Sequence, residues 1–402
     1  MMRVLWVTSE VPDLHLGGGS IRQAHLLEAL ARQTETHLLL ADQLQDHRLR
    51  GLLASVTEVL PTGLPYYPEV GRNRQRFRSA WHTFMHREPI EVIMERPMRR
   101  VLLPSLRDVA KYDIVHVEQT HLGGLIPPHR TNTWSIDIQQ LMSRRAAHQT
   151  HIAIAARHRW LAERERSKAE RFERRIAAAY DLVTVSSAAD AAALPGYVRV
   201  VGNGVDLDAF MVMPLAQKPK IVFTGLLHWL PNVEGLTWFC QEVLPRVRES
   251  KSDVTLDVVG RNPSSAIQRL GQIPGVTVYA NVPRIQPYLE RARVAVVPLR
   301  IGSGTRLKAL EAMAAGRPLV GTTIGLEGLD IENGRHALIA DDAATMAKAI
   351  VDLLGDDALS QRIGAAARAL AEERFSWKDL GRQFVDDLFA AHHQRPQHHI
   401  SD

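Results

Sequence analysis

Short runs of apolar, β-branched residues alternate along the chain with longer stretches whose apolar positions recur every three or four residues. The first kind reads as strands buried on both faces, the second as helices laying one face on a sheet. In the first half the expected strands are Val4–Val7, His37–Leu40, Val56–Leu60, Tyr112–Glu118, Thr133–Ile138 and Leu182–Ser187. Leu26, Leu27, Leu30 and Ala31 mark the buried face of a helix starting near Ser20, and residues 155–180 form one long helix dense in Glu/Arg pairs. Those pairs, three or four apart, are ordinary support for a solvated helix. Met211–Lys220, with two prolines and two lysines, then breaks the pattern as a linker.

Beyond it the pattern restarts. Strands are expected at Ile221–Thr224, Val254–Val259, Val276–Ala280, Val294–Leu299 and from Leu319, with helices from Asn232, over 284–292 and over 306–315. Residues 345–372 read as two helices around Gly355, and 375–392 as a last amphipathic one. Strand and helix alternating on both sides of a linker predict an α/β chain of two doubly wound, Rossmann-like domains. The boundaries fall at 1–205 and 206–375.

Candidate chemistry concentrates in residues 291–329, RARVAVVPLRIGSGTRLKALEAMAAGRPLVGTTIGLEGL. A buried strand runs into a small-residue turn at Gly302, Ser303 and Gly304, and Thr305 is placed to cap a helix that begins at Arg306. Gly316 and Pro318 close that helix. Strand, glycine turn and helix start make an anion site, because unpaired backbone N–H groups and the helix dipole face one spot. Arg306 and Lys308 add two cations, and Glu311 lies about one and a half turns along. The layout suits a diphosphate at the helix start and ribose hydroxyls at the carboxylate. A capped surface helix carrying two solvated bases is the alternative.

The run GSGTRLKALEAMAAGRPLVGTTIGLEGL resembles the donor-nucleotide motif of retaining GT-B glycosyltransferases of family 4. It is most similar to the branch with a GTRLK motif that serves bacterial exopolysaccharide assembly. Many members have two glutamates seven residues apart, the first reaching the sugar and the second the ribose; here Glu311 is the second and Ser303 stands in the first position. The resemblance covers nearly the whole chain. It implies transfer of a sugar from a UDP- or GDP-linked donor to a glycan or lipid-linked acceptor, with retention and without a metal or other cofactor. It also implies that a C-terminal helix, about 376–395, packs back on the acceptor-side domain, leaving 206–375 as the donor domain. Loops at Gly260–Arg261 and Asn281–Val282 would hold the base. Arg306 and Lys308 would replace an Arg and a Lys that members carry after the first strand of the donor domain, where this chain has GLLHWLPN.

In the first half, Gly17, Gly18 and Gly19 follow a strand and precede a helix, a possible phosphate turn, and the family has a similar turn there. Being contiguous, they lack the G-x-G-x-x-G spacing of a dinucleotide site. Glu118 and Asp137 each lie at the carboxyl end of a strand, where ligands of parallel sheets collect. In the transferase reading they orient the acceptor or support an oxocarbenium ion. His116 shares a face with Glu118. Two rivals remain: a nucleotide-sugar epimerase on the same frame, and an NAD-dependent dehydrogenase.

Composition narrows the setting. The 402 residues are 45% apolar and 23% charged, with one cysteine, which excludes an internal disulfide and a multi-cysteine metal site. No apolar run reaches the length of a membrane-spanning helix, and MMRVLWVTSEVP is too short and β-branched for a signal peptide. A cytoplasmic protein is expected. Residues 1–200 hold 27 Lys+Arg against 21 Asp+Glu, the remainder 22 against 23. With arginines at 72, 74, 76 and 78 ahead of Phe77, Trp81, Phe84 and Met85, that excess suggests a helix lying on an anionic inner membrane face. Nucleic acid is not an expected partner.

Overall fold

The computed structural model describes residues 1–13, 18–40, 56–61, 86–152, 156–302 and 306–395. The chain divides into two units, Met1–Gly202 with the C-terminal segment from Lys378, and Asn203–Trp377.

The first unit is built on a parallel seven-stranded sheet. Its strands are β1 (Arg3–Thr8), β2 (Glu35–Leu40), β3 (Glu58–Pro61), β4 (Ile114–Glu118), β5 (Thr133–Ile138), β6 (Leu182–Val185) and β7 (Val198–Val200). The order β3-β2-β1-β4-β5-β6-β7 reverses direction between β1 and β4, as a doubly wound sheet must. Leu5, Val7, Val115, Val117, Ile136 and Val183 bury one face. On the other, Trp6 lies opposite His116 in register, and Phe384 of the helix Trp377–Gln394 meets both rings edge-on. Register also places Glu118 opposite Asp137 and His116 opposite Ser135. The helix Gly18–Ala31 begins two residues ahead of the expected start.

The second unit carries a parallel six-stranded sheet: β8 (Lys220–Leu226), β9 (Thr255–Arg261), β10 (Val276–Ala280), β11 (Val294–Val297), β12 (Leu319–Gly321) and β13 (Leu338–Ile339), in the order β10-β9-β8-β11-β12-β13. Ile221, Phe223, Leu256, Val258, Val294 and Val296 bury one face, and Val222, Val259, Ala295, Val297 and Leu319 the other. Burial on both sides explains why these strands read as unbroken apolar runs. Gly225 and Gly260 pair in register at the carboxyl ends of β8 and β9, and a Cβ on Gly260 would overlap the Gly225 carbonyl oxygen. Gly316, at φ 64°, ends the helix Leu307–Ala314, with the amide of Gly316 donating to Met313 and that of Arg317 to Ala312.

β7, β13 and the helices Ile90–Met94 and Arg96–Ser105 come in addition to the expected elements. The two strands are three and two residues long, and the helices follow one another around Glu95 with few buried positions. The arginine-rich stretch expected to form a membrane-facing helix, residues 71–85, lies outside the described residues.

Candidate functional site

At the carboxyl edge of the second sheet, three elements bring their polar side chains to one place. The helix Leu307–Ala314 supplies Lys308 and Glu311, β8 supplies Thr224 and Gly225, and the helix Leu230–Trp238 supplies Asn232. Lys308 Nζ donates to Asn232 Oδ1 at 2.8 Å, and Asn232 Nδ2 donates to the Leu226 carbonyl at 2.7 Å. The ammonium also stands over the rings of Phe223 and Trp229, 5.2 and 5.7 Å from their centroids. Gly225 leaves room for it: a Cβ there would sit 3.0 Å from Lys308 Cε, and φ of 149° already disfavours a side chain. Gly302, at φ 120°, packs the turn after β11 against Trp229 and Pro231, so the starts of both helices converge.

The charges of this cluster are partly withdrawn from water: Lys308 and Glu311 are half-buried and Arg306 is buried. Burial, reinforced by the neighbouring Arg306 charge and opposed by Glu311, pulls the Lys308 ammonium down to about 7. Burial pushes Glu311 up to about 7, opposed by Lys308 and by the Thr224 hydroxyl, which donates to Oε2 at 3.4 Å. Burial also lowers Arg306, whose ion partner Glu327 is 3.9 Å away and half exposed. A diphosphate would supply the missing negative charge to Lys308.

Arg306 differs from the expectation. It occupies the cap position, at φ −88° and ψ 82°, with no side-chain cap, so the helix begins at Leu307 and not at Arg306. Its Nε donates to the Ile324 carbonyl at 3.1 Å, which draws the guanidinium down onto the turn Ile324–Leu326. Ser303, Gly304 and Thr305 lie outside the described residues, as does Gly17. The β9 and β10 loops meet through Asn281 Oδ1, which accepts from the Asn262 amide at 2.9 Å, both asparagines having positive φ. Arg261 and Val282 flank that contact, half-buried, and Gly260 lies beneath it.

The first unit's polar edge is closed. Arg22 grips Asp137 with Nε at 2.8 Å and a terminal nitrogen at 2.7 Å, and its other terminal nitrogen donates to the carbonyls of Val201 and Gly202. The Thr184 hydroxyl adds 2.6 Å to Asp137 Oδ1. Burial alone would raise the Asp137 carboxyl; Arg22 and Thr184 override it and hold it low. The expected acceptor-orienting role thus meets a carboxylate already engaged inside the fold. Glu118 is fully buried and raised well above its ordinary range by burial and the Asp137 charge. It accepts from Gln139 Nε2 at 3.2 Å and stands 3.4 Å from His116 Nε2. Burial takes His116 down to about 4, so the imidazole is neutral at pH 7. Gln139 also reaches the Gly19 carbonyl at 3.4 Å, and a Cβ on Gly19 would strike it; Gly18 starts the same helix.

The unforeseen members are Arg22 and Gln139 in the first unit and Thr224 and Asn232 in the second. Each had a signal: Thr224 and Gln139 at strand ends, Asn232 at a helix start, Arg22 as a charge on an otherwise buried helix face. Among the described residues no three His, Cys, Asp or Glu side chains come together to hold a metal.

Residues 218–356 match the family model described as Glycosyl transferases group 1, the segment containing this cluster. Over the two sheets together, a structure of Anabaena Alr3699/HepE in complex with UDP and glucose covers 97% of this chain and 100% of its own, at TM-score 0.65 and 15% identity. The fold is GT-B. Among curated proteins, the GT-B chain is 25% identical over 169 residues to an uncharacterized 44.6 kDa protein in the cps region of Klebsiella pneumoniae, 40% of this chain and 44% of that one. It thus spans less than half of that relative's length. A D-inositol 3-phosphate glycosyltransferase of Nocardioides is 25% identical over 322 residues, covering 70% of this chain and 68% of its own.

Proposed function

We propose that the protein is a retaining glycosyltransferase of family 4. It moves a hexosyl group from a UDP- or GDP-linked donor to a lipid-linked or glycan acceptor in bacterial exopolysaccharide or surface polysaccharide synthesis. One observation carries the reading: Lys308 is half-buried at the carboxyl edge of a parallel sheet, at the start of a helix, with a neutral amide as its hydrogen-bond acceptor and no carboxylate ion-paired to it among the described residues. A cation held this way is matched to an incoming anion and is poorly suited to stabilising the empty fold. The match to the glycosyl transferases family, the UDP and glucose bound by the Anabaena protein and the cps-region relative support the donor class and the setting.

In this reading Lys308 and Arg306 stabilise the leaving diphosphate. Glu311 takes the ribose hydroxyls, and the loops at Gly260–Arg261 and Asn281–Val282 hold the base. The acceptor oxygen attacks on the face the leaving group departs from, and a leaving-phosphate oxygen takes its proton, so no protein base or metal is required. Glu118, Gly18 and Gly19 lie on the acceptor side, and Asp137, gripped by Arg22, acts behind them from inside the fold. The comparisons do not favour an epimerase or a dehydrogenase.

Incubation with radiolabelled UDP- and GDP-sugars and a polyprenyl-diphosphate-linked acceptor tests the reading. Label transferred to the lipid with the anomeric configuration kept is the expected result. Epimerised free nucleotide sugar, or hydride exchange with NAD, would replace it with a rival. A membrane-bound form is part of the same proposal; no helix among the described residues is long and apolar enough to cross a membrane. Vesicles of phosphatidylglycerol at low salt should retain the protein and lose it when arginines 72, 74, 76 and 78 are neutralised.

A further inference from the structure

We infer that Asn232 is a positioning residue that holds the Lys308 side chain at the sheet edge, aimed, and favours its protonated form until a diphosphate takes it over. This rests on the nucleotide-sugar reading of the site and adds to it a residue outside the motif. Asn232 is 1% exposed and has two bonds with separate purposes. Its Nδ2 ties it to the Leu226 carbonyl at the end of β8, which fixes the amide plane. Its Oδ1 then points at Lys308 Nζ, 2.8 Å away. Proline at position 231 and Trp229 at the cap lock the start of that helix, with the Asn232 amide donating to the Trp229 carbonyl at 2.9 Å. The amide oxygen therefore arrives on a rigid element.

An amide suits this place better than a carboxylate. It solvates the ammonium without cancelling its charge, so the full positive charge remains available to phosphate. The charged groups acting on Lys308 are Arg306 and Glu311, both on its own side of the site; the opposing elements contribute Asn232, Phe223 and Trp229, which do not titrate. With Asn232 removed, the ammonium loses its neutral acceptor while Arg306 still opposes it, and Lys308 should shed its proton at lower pH.

Two substitutions separate this from a packing role. Asn232→Ala and Asn232→Asp both lose the bond to the Leu226 carbonyl but act oppositely on Lys308, one removing its acceptor and the other giving it a charged one, so the direction of the Lys308 shift in each reads the Lys308 side. In ¹³C-lysine NMR of the ligand-free protein, the Lys308 titration midpoint should move down in Asn232→Ala and up in Asn232→Asp. UDP and GDP binding followed by calorimetry from pH 6 to 9 should be about tenfold weaker in Asn232→Ala at pH 8, because a fall of about one unit in the Lys308 midpoint leaves about a tenth as much of it charged there. The pH at which affinity falls should move down with alanine and up with aspartate. Identical midpoints in wild type and both variants would overturn the assignment. If the NMR midpoints move as stated but neither nucleotide binds wild type, Asn232 still positions Lys308, and it is the nucleotide reading that fails together with the hand-over to phosphate.

Discussion

Arg22 and Arg306 are both buried arginines near the carboxyl edge of a parallel sheet, one in each unit, and their surroundings push them in opposite directions. Burial lowers the affinity of each for its proton. At Arg22 the bidentate Asp137 more than reverses the effect; at Arg306 the distant Glu327 does not. The same holds for the groups around them. Asp137 is satisfied by Arg22 and Thr184, whereas Lys308 and Glu311 remain strained toward neutrality. A polar cluster that satisfies itself is part of the fold; one that does not is waiting for a ligand or costs stability for nothing. Arg22 and Asp137 are of the former kind, Lys308 and Glu311 of the latter.

The sharpest way to break this contrast is to remove Arg22. Arg22→Ala leaves the Asp137 carboxylate buried against the Thr184 hydroxyl without its guanidinium, and such uncompensated charges cost about 3–5 kcal/mol. Urea unfolding should show that loss at pH 7. It should shrink as pH falls: the folded Asp137 carboxyl is depressed, so its contribution is present above its ordinary value of 3.8 and disappears as pH drops through the folded value. A loss below 1 kcal/mol would place Arg22 in the same class as Arg306.

In the second unit the effect should fall on binding and not on folding. Lys308→Ala and Arg306→Ala should each weaken UDP or GDP binding by about 1.5–3 kcal/mol, on the order of tenfold to a hundredfold, the range for one charge-assisted hydrogen bond. Calorimetry checks it, and unchanged affinity in both variants would remove the diphosphate from this helix start. This part of the site was legible in the chain because its chemistry is local: Gly302, Lys308, Glu311 and Gly316 fall within one strand–turn–helix unit, where spacing alone fixes neighbours. Both sheets were legible for a similar reason, their strands being buried on two faces. The partners that reach in from elsewhere were not. Thr224 and Asn232 come from 87 and 76 residues away, and Arg22 finds Asp137 across 115 residues. No periodicity records which strand ends become neighbours, and Arg306 turned toward Ile324 because of a tertiary contact, not a helical one.

The unsatisfied pair also leaves a signature in the stability of the free protein, smaller than either loss above. Glu311 has a folded value raised from 4.5 to about 7, so its contribution is complete below 4.5 and is lost as pH rises to 7. Lys308 has a folded value lowered from 10.5 to about 7, so the unfolded chain binds more protons between 7 and 10.5 and stability is regained as pH rises through that window. Together they put a shallow minimum near pH 7, about 1–2 kcal/mol deep once water relaxation is allowed for. Thermal melts from pH 5 to 9.5 should show it, Lys308→Met should abolish the rise on the alkaline side, and saturating UDP should fill it in. A maximum at pH 7 in the free protein would mean that the two side chains compensate each other as Arg22 and Asp137 do.

The smallest effect tests the first unit's other carboxyl. Burial and the Asp137 charge both favour the protonated form of Glu118, and the neutral His116 ring offers Nε2 as an acceptor 3.4 Å from Oε1 while its Nδ1 lies 2.8 Å from the Ser135 hydroxyl. A protonated acid donating to that nitrogen satisfies both buried atoms, with the His116 proton on Nδ1. Glutamine has the same shape and can make the same donation, so Glu118→Gln should change stability by no more than about 0.5 kcal/mol at pH 7, while Glu118→Ala, which strands His116 and Gln139, should cost about 1–3 kcal/mol. Transfer activity divides the two remaining roles. If Glu118 acts only within the fold, the glutamine variant keeps its turnover and its pH profile. If it supports the reacting sugar as an ionised carboxylate, turnover falls steeply with stability untouched, and the first unit's edge is no longer closed.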